Sequence, residues 1–212
     1  MIPLILKIKK ESHKKIASAQ DTIVRELYSV FSDAVMHGGT AIWRCYSGNR
    51  FSEDIDVYIR RDLEKLTILF KNLEKSGFAI EKKKIGEKSL FSNLKFENVY
   101  VRFEALFKQA GGCLREYETA DGNFLTIYTL TAEELVNEKA GAYLKRLKVR
   151  DLYDVYFLLR YVKDRGAVKI VLHKLVKDFK KPSDEKELKV LILEGIVPKT
   201  EKMLQYIQDF IR

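Results

Sequence analysis

Apolar positions recur along this chain with two different periods, and the change of period divides it. From Glu11 to Ser32 they follow the spacing of an amphipathic helix. Asp62 to Ser76 predicts a second helix, with Leu63, Leu66, Leu69, Phe70 and Leu73 at helical spacing and Gly77 as its stop. From Phe78 to Tyr128 the pattern becomes that of strands, punctuated by Gly111-Gly112 and Asp121-Gly122-Asn123. After Thr131 it turns helical to the end; Lys181-Pro182-Ser183-Asp184 separates the last long stretch, which Pro198 breaks again. Thr131 with Glu134 three residues on is a capping box, so a helix starts there. The prediction is an α+β half, residues 1–129, then a helical half, residues 130–212, with the active site between them.

Two short segments interrupt these patterns with chemistry. Ala34-Val35-Met36 is an apolar run into His37-Gly38-Gly39-Thr40, and Ala41-Ile42-Trp43-Arg44 then reads as the opening of a helix. A strand–Gly-Gly–helix passage presents backbone N–H groups and the positive helix end to phosphate. Thr40 is placed to cap that helix or to donate its hydroxyl to a phosphate oxygen. The Gly-Lys-Ser/Thr ending of a Walker loop is absent, and so is the third glycine of a dinucleotide fingerprint.

The second segment is Asp54-Ile55-Asp56, followed by Val57-Tyr58-Ile59. These residues read as a strand, in which positions two apart share a face. Asp54 and Asp56 therefore aim together while Ile55 turns to the core. Two carboxylates on one face repel unless a cation sits between them. Hard oxygen donors suit Mg²⁺ or Mn²⁺, which keep waters and take substrate phosphates as further ligands. Ser52 lies on the same face if the strand begins that early, within reach of a phosphate. Arg44 and Arg50 flank the segment as candidate phosphate contacts or as surface arginines. In the alternating strand Asn98–Phe107, Arg102 and Glu104 fall on one face; Glu104 is a candidate third metal ligand, or the partner of a cross-strand ion pair.

This order of Gly-Gly and Asp-x-Asp resembles the DNA polymerase β-like nucleotidyltransferase superfamily. The fuller wording, His-Gly-Gly-Thr-Ala-Ile with Asn-Arg-Phe-Ser-Glu-Asp-Ile-Asp, is similar to the AbiEii-type nucleotidyltransferases, toxins of type IV toxin–antitoxin systems. A second block agrees: Lys139-Ala140-Gly141-Ala142, then Arg146, then Arg150-Asp151-Leu152-Tyr153-Asp154-Val155. On its own that block reads as a salt-bridged helix pair, with Asp151 and Asp154 sharing a face. The resemblance implies more. Gly38, Gly39, Thr40, Arg50 and Ser52 hold a nucleoside triphosphate. Asp54 and Asp56 bind Mg²⁺ or Mn²⁺. Lys139 contacts the triphosphate, and Asp154 or Asp151 orients it or acts near the nucleophile. The implied fold is a mixed sheet with flanking helices followed by a helical half. The implied reaction moves a nucleoside monophosphate from an NTP to an acceptor hydroxyl, at the 3′ end of tRNA, and a cognate antitoxin is an expected partner. Nucleotidyl transfer to a small molecule or a protein, and a catalytically silent nucleotide-binding module, are the alternatives.

Composition fits these expectations. The 212 residues carry a formal charge of +9, an excess that attracts phosphate backbones. The cluster from Lys145 to Arg150, with Arg146, Lys148 and Arg150, follows Lys139 and is the candidate RNA contact. No run is apolar and long enough to span a membrane. The apolar start Met1–Leu6 is followed, not preceded, by basic residues and has no cleavage pattern, so no signal peptide is expected. Cys45 and Cys113 lack ligand spacing and read as free thiols of a cytoplasmic protein.

Overall fold

The computed structural model describes residues 3–212; Met1 and Ile2, part of the apolar start, lie outside them. The chain divides into two compact units. One comprises the chain up to Ser47 together with Ser52–Thr129; the other comprises Gly48–Phe51 and Leu130–Arg212.

The first unit is built on a seven-stranded mixed sheet. Its elements are α1 (Leu4–Lys7), α2 (Glu11–Val30), β1 (Val35–His37), α3 (Gly38–Cys45), β2 (Ile55–Ile59), α4 (Leu63–Lys75), β3 (Phe78–Ile85), β4 (Ser89–Phe96), β5 (Val99–Phe107), β6 (Cys113–Glu118) and β7 (Phe124–Thr129). The strand order is β3-β4-β5-β2-β1-β7-β6. β1 runs antiparallel to β2 and parallel to β7, and β2 runs parallel to β5. Val101, Phe103 and Ala105 of β5 are buried, as are Ile55, Val57 and Ile59 of β2, with Ile55 opposite Phe103 and Val57 opposite Ala105. α2 packs on β5, α4 packs on β3, and the two helices pack on each other. The polar alternates of β2 and β5, among them Asp56, Arg102 and Glu104, take the other face.

Helix ends follow the sequence. Asp62 caps α4 by accepting from the Lys65 N–H at 3.0 Å. The helix from Glu11 ends at Val30, because Phe31 leaves helical geometry. Thr40 lies inside α3 and does not cap it, since α3 already begins at Gly38 with His37 in the cap position.

The N-terminal helices are locked to the sheet by a buried ion. Arg44 is not at a phosphate site, as its position in sequence had suggested. It is 1% exposed, pairs with Asp21 at 3.2 Å and donates to the carbonyls of Ala17 and Glu118 at 2.9 Å each. Asp21 also accepts from the Tyr117 hydroxyl and the Ala120 N–H. Burial pushes the Asp21 carboxyl above the usual range, against the pull of Arg44 and these donors.

The second unit is helical: α5 (Ala132–Arg146), α6 (Val149–Leu158), α7 (Arg165–Lys177), α8 (Leu188–Leu191) and α9 (Thr200–Ile211). The capping box at α5 forms as expected, with Thr131 and Glu134 satisfying each other's backbone N–H groups. α5 packs on α6 and α7, and α9 packs on α6 and α7. The short segment Gly48–Phe51 is stitched into this unit by a β-bridge between Arg50 and Ile192 and by Phe51 N–H donating to Leu191 at 2.9 Å. No helix among the described residues is long and apolar enough to cross a membrane.

Replacing Arg44 by methionine leaves Asp21 buried without its ion partner. The expected loss of unfolding free energy is roughly 3–5 kcal/mol, measured by urea denaturation. A loss under about 1 kcal/mol, the range of surface pairs, would show that the pair does not hold the helices to the sheet.

Candidate active site

The site begins with a glycine that tolerates no substituent. Gly38 has φ of +74°, in the left-handed region that favours glycine. A Cβ there would run into the Asp56 carboxylate. Glycine at this position thus admits Asp56 to the first turn of α3, where unpaired N–H groups and the helix dipole are concentrated. The register sets the same meeting, because His37 of β1 lies opposite Asp56 of β2. The His37 ring stacks on Tyr58 at 3.9 Å between centroids.

Thr40 fixes the second carboxylate. Its buried hydroxyl donates to the Asp54 carbonyl, tying α3 to the residue before β2. This occupies the hydroxyl that had been expected to cap or to touch phosphate, so the role it fills here is positional. Asp54 precedes β2, and its side chain is one-quarter exposed. Ser52 is also outside β2; the Gln20 side-chain amide holds its carbonyl at 2.9 Å.

Glu104 lies opposite Asp56 across the parallel pair of β2 and β5. Arg102 bridges the acids, pairing with Asp54 and, at 2.9 Å, with Glu104. Burial, with repulsion from Asp56 and Asp54, pushes the Glu104 carboxyl up against the attraction of Arg102. Among the described residues no three His, Cys, Asp or Glu side chains gather into a metal-binding group. Glu104 is the ion partner of Arg102 here, on the strand position opposite Asp56. Asp54 and Asp56 still fit a hard divalent ion that draws its other ligands from water and phosphate; Asp54 already takes a guanidinium as counter-cation.

The second unit holds a chain of alternating charges. Asp154 is 1% exposed and receives Arg50 in a two-pronged pair, Nε to Oδ1 and Nη2 to Oδ2, both 2.8 Å. Lys139 Nζ sits 3.0 Å from Asp154 and 3.8 Å from Asp151. Asp151, fully buried, is gripped by Arg146 through two contacts of 2.7 Å. Three cations thus share two carboxylates, one positive charge in excess. Burial would push Asp154 up, but Arg50 and Lys139 outweigh it and hold the carboxyl below its usual range.

These contacts place the basic residues expected at phosphate or RNA. Arg50 is buried against Asp154, which takes both its Nε and its Nη2. Arg146 and Lys148, expected to meet RNA, are engaged within the chain, with Asp151 and with Asp184 at 3.3 Å. Arg150 lines a cavity with Lys148, Asp184 and Leu191. Sequence reading had missed that Arg50 belongs to the helical unit; its separation from Asp154 by 104 positions left no local signal.

The model of the AbiEii nucleotidyltransferase toxin family, a type IV toxin–antitoxin family, matches residues 23–210. This chain belongs to that family. As a member it is a nucleotidyltransferase, and the match takes in both the glycine–aspartate segment and the Lys139–Asp154 block. Solved structures of similar fold include JHP933 from Helicobacter pylori, with a TM-score of 0.71, 19% identity, and coverage of 96% of this chain and 92% of that one. MenT4, a nucleotidyltransferase toxin from Mycobacterium tuberculosis, has a TM-score of 0.65, 17% identity, and coverage of 94% and 82%. At these identities the likeness is one of fold. A search of curated proteins finds no match.

Two outcomes follow from this geometry. Gly38→Ala must displace Asp56 and strain the backbone, so transferase activity is expected to fall at least tenfold, for a stability cost of roughly 1–3 kcal/mol. Activity within twofold of wild type would mean that the Gly38–Asp56 approach is irrelevant to the chemistry. For Asp154 the folded pKa lies below its ordinary value of 3.8. Its ion pairs therefore stabilise fully above that value, and the stabilisation is lost as pH falls through the lower folded one. Unfolding free energy measured from pH 7 to pH 2 should drop on this acid limb, and Asp154→Asn should flatten the limb while costing roughly 3–5 kcal/mol at pH 7.

Proposed function

We propose that this protein transfers a nucleoside monophosphate from an NTP to a terminal ribose hydroxyl of tRNA, and that this transfer is its action as a type IV toxin. The observation that carries the reading is the Asp54–Asp56 pair beside the N-terminus of α3, admitted there by Gly38. Gly38 and Gly39 offer backbone N–H groups to the triphosphate. Ser52, half-exposed beside the carboxylates, is the candidate hydroxyl for its terminal phosphate. Asp54 and Asp56 would hold Mg²⁺ or Mn²⁺, which neutralises phosphate charge and polarises the reacting phosphorus. Lys139, largely buried and oriented by Asp154 and Asp151, supplies a fixed positive charge for the β- and γ-phosphates. The acceptor hydroxyl attacks the α-phosphorus and pyrophosphate leaves. Most of the acceleration comes from positioning and preorganised charge.

The net charge of +9 favours a polyanionic acceptor over a small neutral one. A cognate antitoxin protein, expected of a type IV system, and a cytoplasmic site of action complete the proposal.

Incubation with each labelled NTP, Mg²⁺ and total tRNA tests it, with Asp56→Ala and Lys139→Ala as controls. The expected result is label at the tRNA 3′ end from one preferred nucleotide, lost with Asp56→Ala and reduced at least ~100-fold with Lys139→Ala. Label in the protein itself or in a lysate component, with tRNA blank, would replace the acceptor. Nucleotide-dependent thermal stabilisation without transfer to any acceptor would leave only a nucleotide-binding module.

A further inference from the structure

Arg102 occupies an unusual position among the site's cations. It stands two residues before Glu104 on β5, on the same face, opposite Asn93 of β4. Its guanidinium reaches two carboxylates at once, Asp54 from the β2 side and Glu104 from its own strand. Unlike Arg50, at 5% exposure, Arg102 keeps 43% of its side chain in solvent. It is thus held at this end by the acids and has an open path away from them. Asp56 of β2 lies in register with Glu104, on the same face of the sheet. Other charged or titratable groups on this sheet nearby include Tyr58 on β2, His37 on β1 and Lys95 on β4, and Lys95 is drawn to Glu81 at 3.7 Å.

We infer that Arg102 is a resident counter-ion that gates the Asp54 carboxylate. Without nucleotide the guanidinium fills the place of a cation on Asp54. A divalent ion gains that carboxylate when the guanidinium lets go, and the incoming triphosphate, a better fork-matched oxyanion, is what draws it off. Metal and triphosphate then bind with positive coupling through one side chain, by linkage in both directions. This rests on the reading of Asp54 and Asp56 as metal-holding residues.

The experiment is a Mn²⁺ titration followed by electron paramagnetic resonance of free Mn²⁺, with and without a non-hydrolysable nucleoside triphosphate. Wild type, Arg102→Gln, Arg102→Lys and Asp54→Asn are compared, each checked for folding by circular dichroism. Without nucleotide, Arg102→Gln should bind Mn²⁺ roughly tenfold tighter than wild type, and the gain on adding triphosphate should shrink by a similar factor. Arg102→Lys, which keeps the charge and loses the fork, should fall between them. If Asp54→Asn abolishes binding while Arg102→Gln binds no tighter than wild type, the gate is wrong and the metal reading stands. If Asp54→Asn leaves Mn²⁺ binding unchanged, the metal reading fails and the gate with it.

Discussion

The close approach of Asp56 to the first residue of α3 is the constraint on which the site depends. A carboxylate there needs a residue without a side chain, a positive φ and a strand that runs antiparallel to the one leading into the helix. Gly38 and the pairing of β1 with β2 supply all three. Thr40 then extends the same tie to Asp54. The result concentrates negative charge beside the positive end of a helix whose every residue is buried. Such a helix end is suited to an anion, and under the proposed function the aspartates beside it would hold the cation that a triphosphate requires.

The helical unit solves a different problem, that of keeping a lysine charged while nearly buried. Lys139 is 8% exposed, an expensive place for an ammonium group without partners. Two aspartates compensate it, and two arginines compensate the aspartates in turn. Because the cations outnumber the acids by one, the group retains attraction for an anion. Arg50 has a second consequence: it anchors the four-residue segment Gly48–Phe51 in this unit, between α3 and β2 in the chain.

Much of this was legible in the sequence, and the legible part is local. Period-two and period-3.6 patterns placed α2, α4, β5 and the capped start of α5, because each depends on neighbours a few residues away. The mixed sheet followed by a helical half, and membership of the nucleotidyltransferase family, likewise agree with the motif order. Partnerships across long separations were not legible. Arg44 looked like a phosphate ligand because it sits beside the glycine loop, yet Asp21, 23 positions earlier, claims it in the core. Arg50 looked the same for the same reason, and Asp154 claims it. An arginine's fork is satisfied equally by phosphate and carboxylate, so composition around the motif gave no means of choosing between them. Lys139 was the converse case, since the resemblance already implied Asp154 or Asp151 as the residue that orients it.

The central claim is that the glycine turn and the aspartate pair form one phosphate and metal site. Crystals grown with Mn²⁺ and a non-hydrolysable nucleoside triphosphate test it most directly, through the anomalous scattering of manganese. The account predicts a manganese peak bound by Asp54 and Asp56, with the triphosphate accepting hydrogen bonds from the backbone N–H groups at Gly38 and Gly39. Manganese elsewhere, or a triphosphate that leaves those N–H groups untouched, would contradict it.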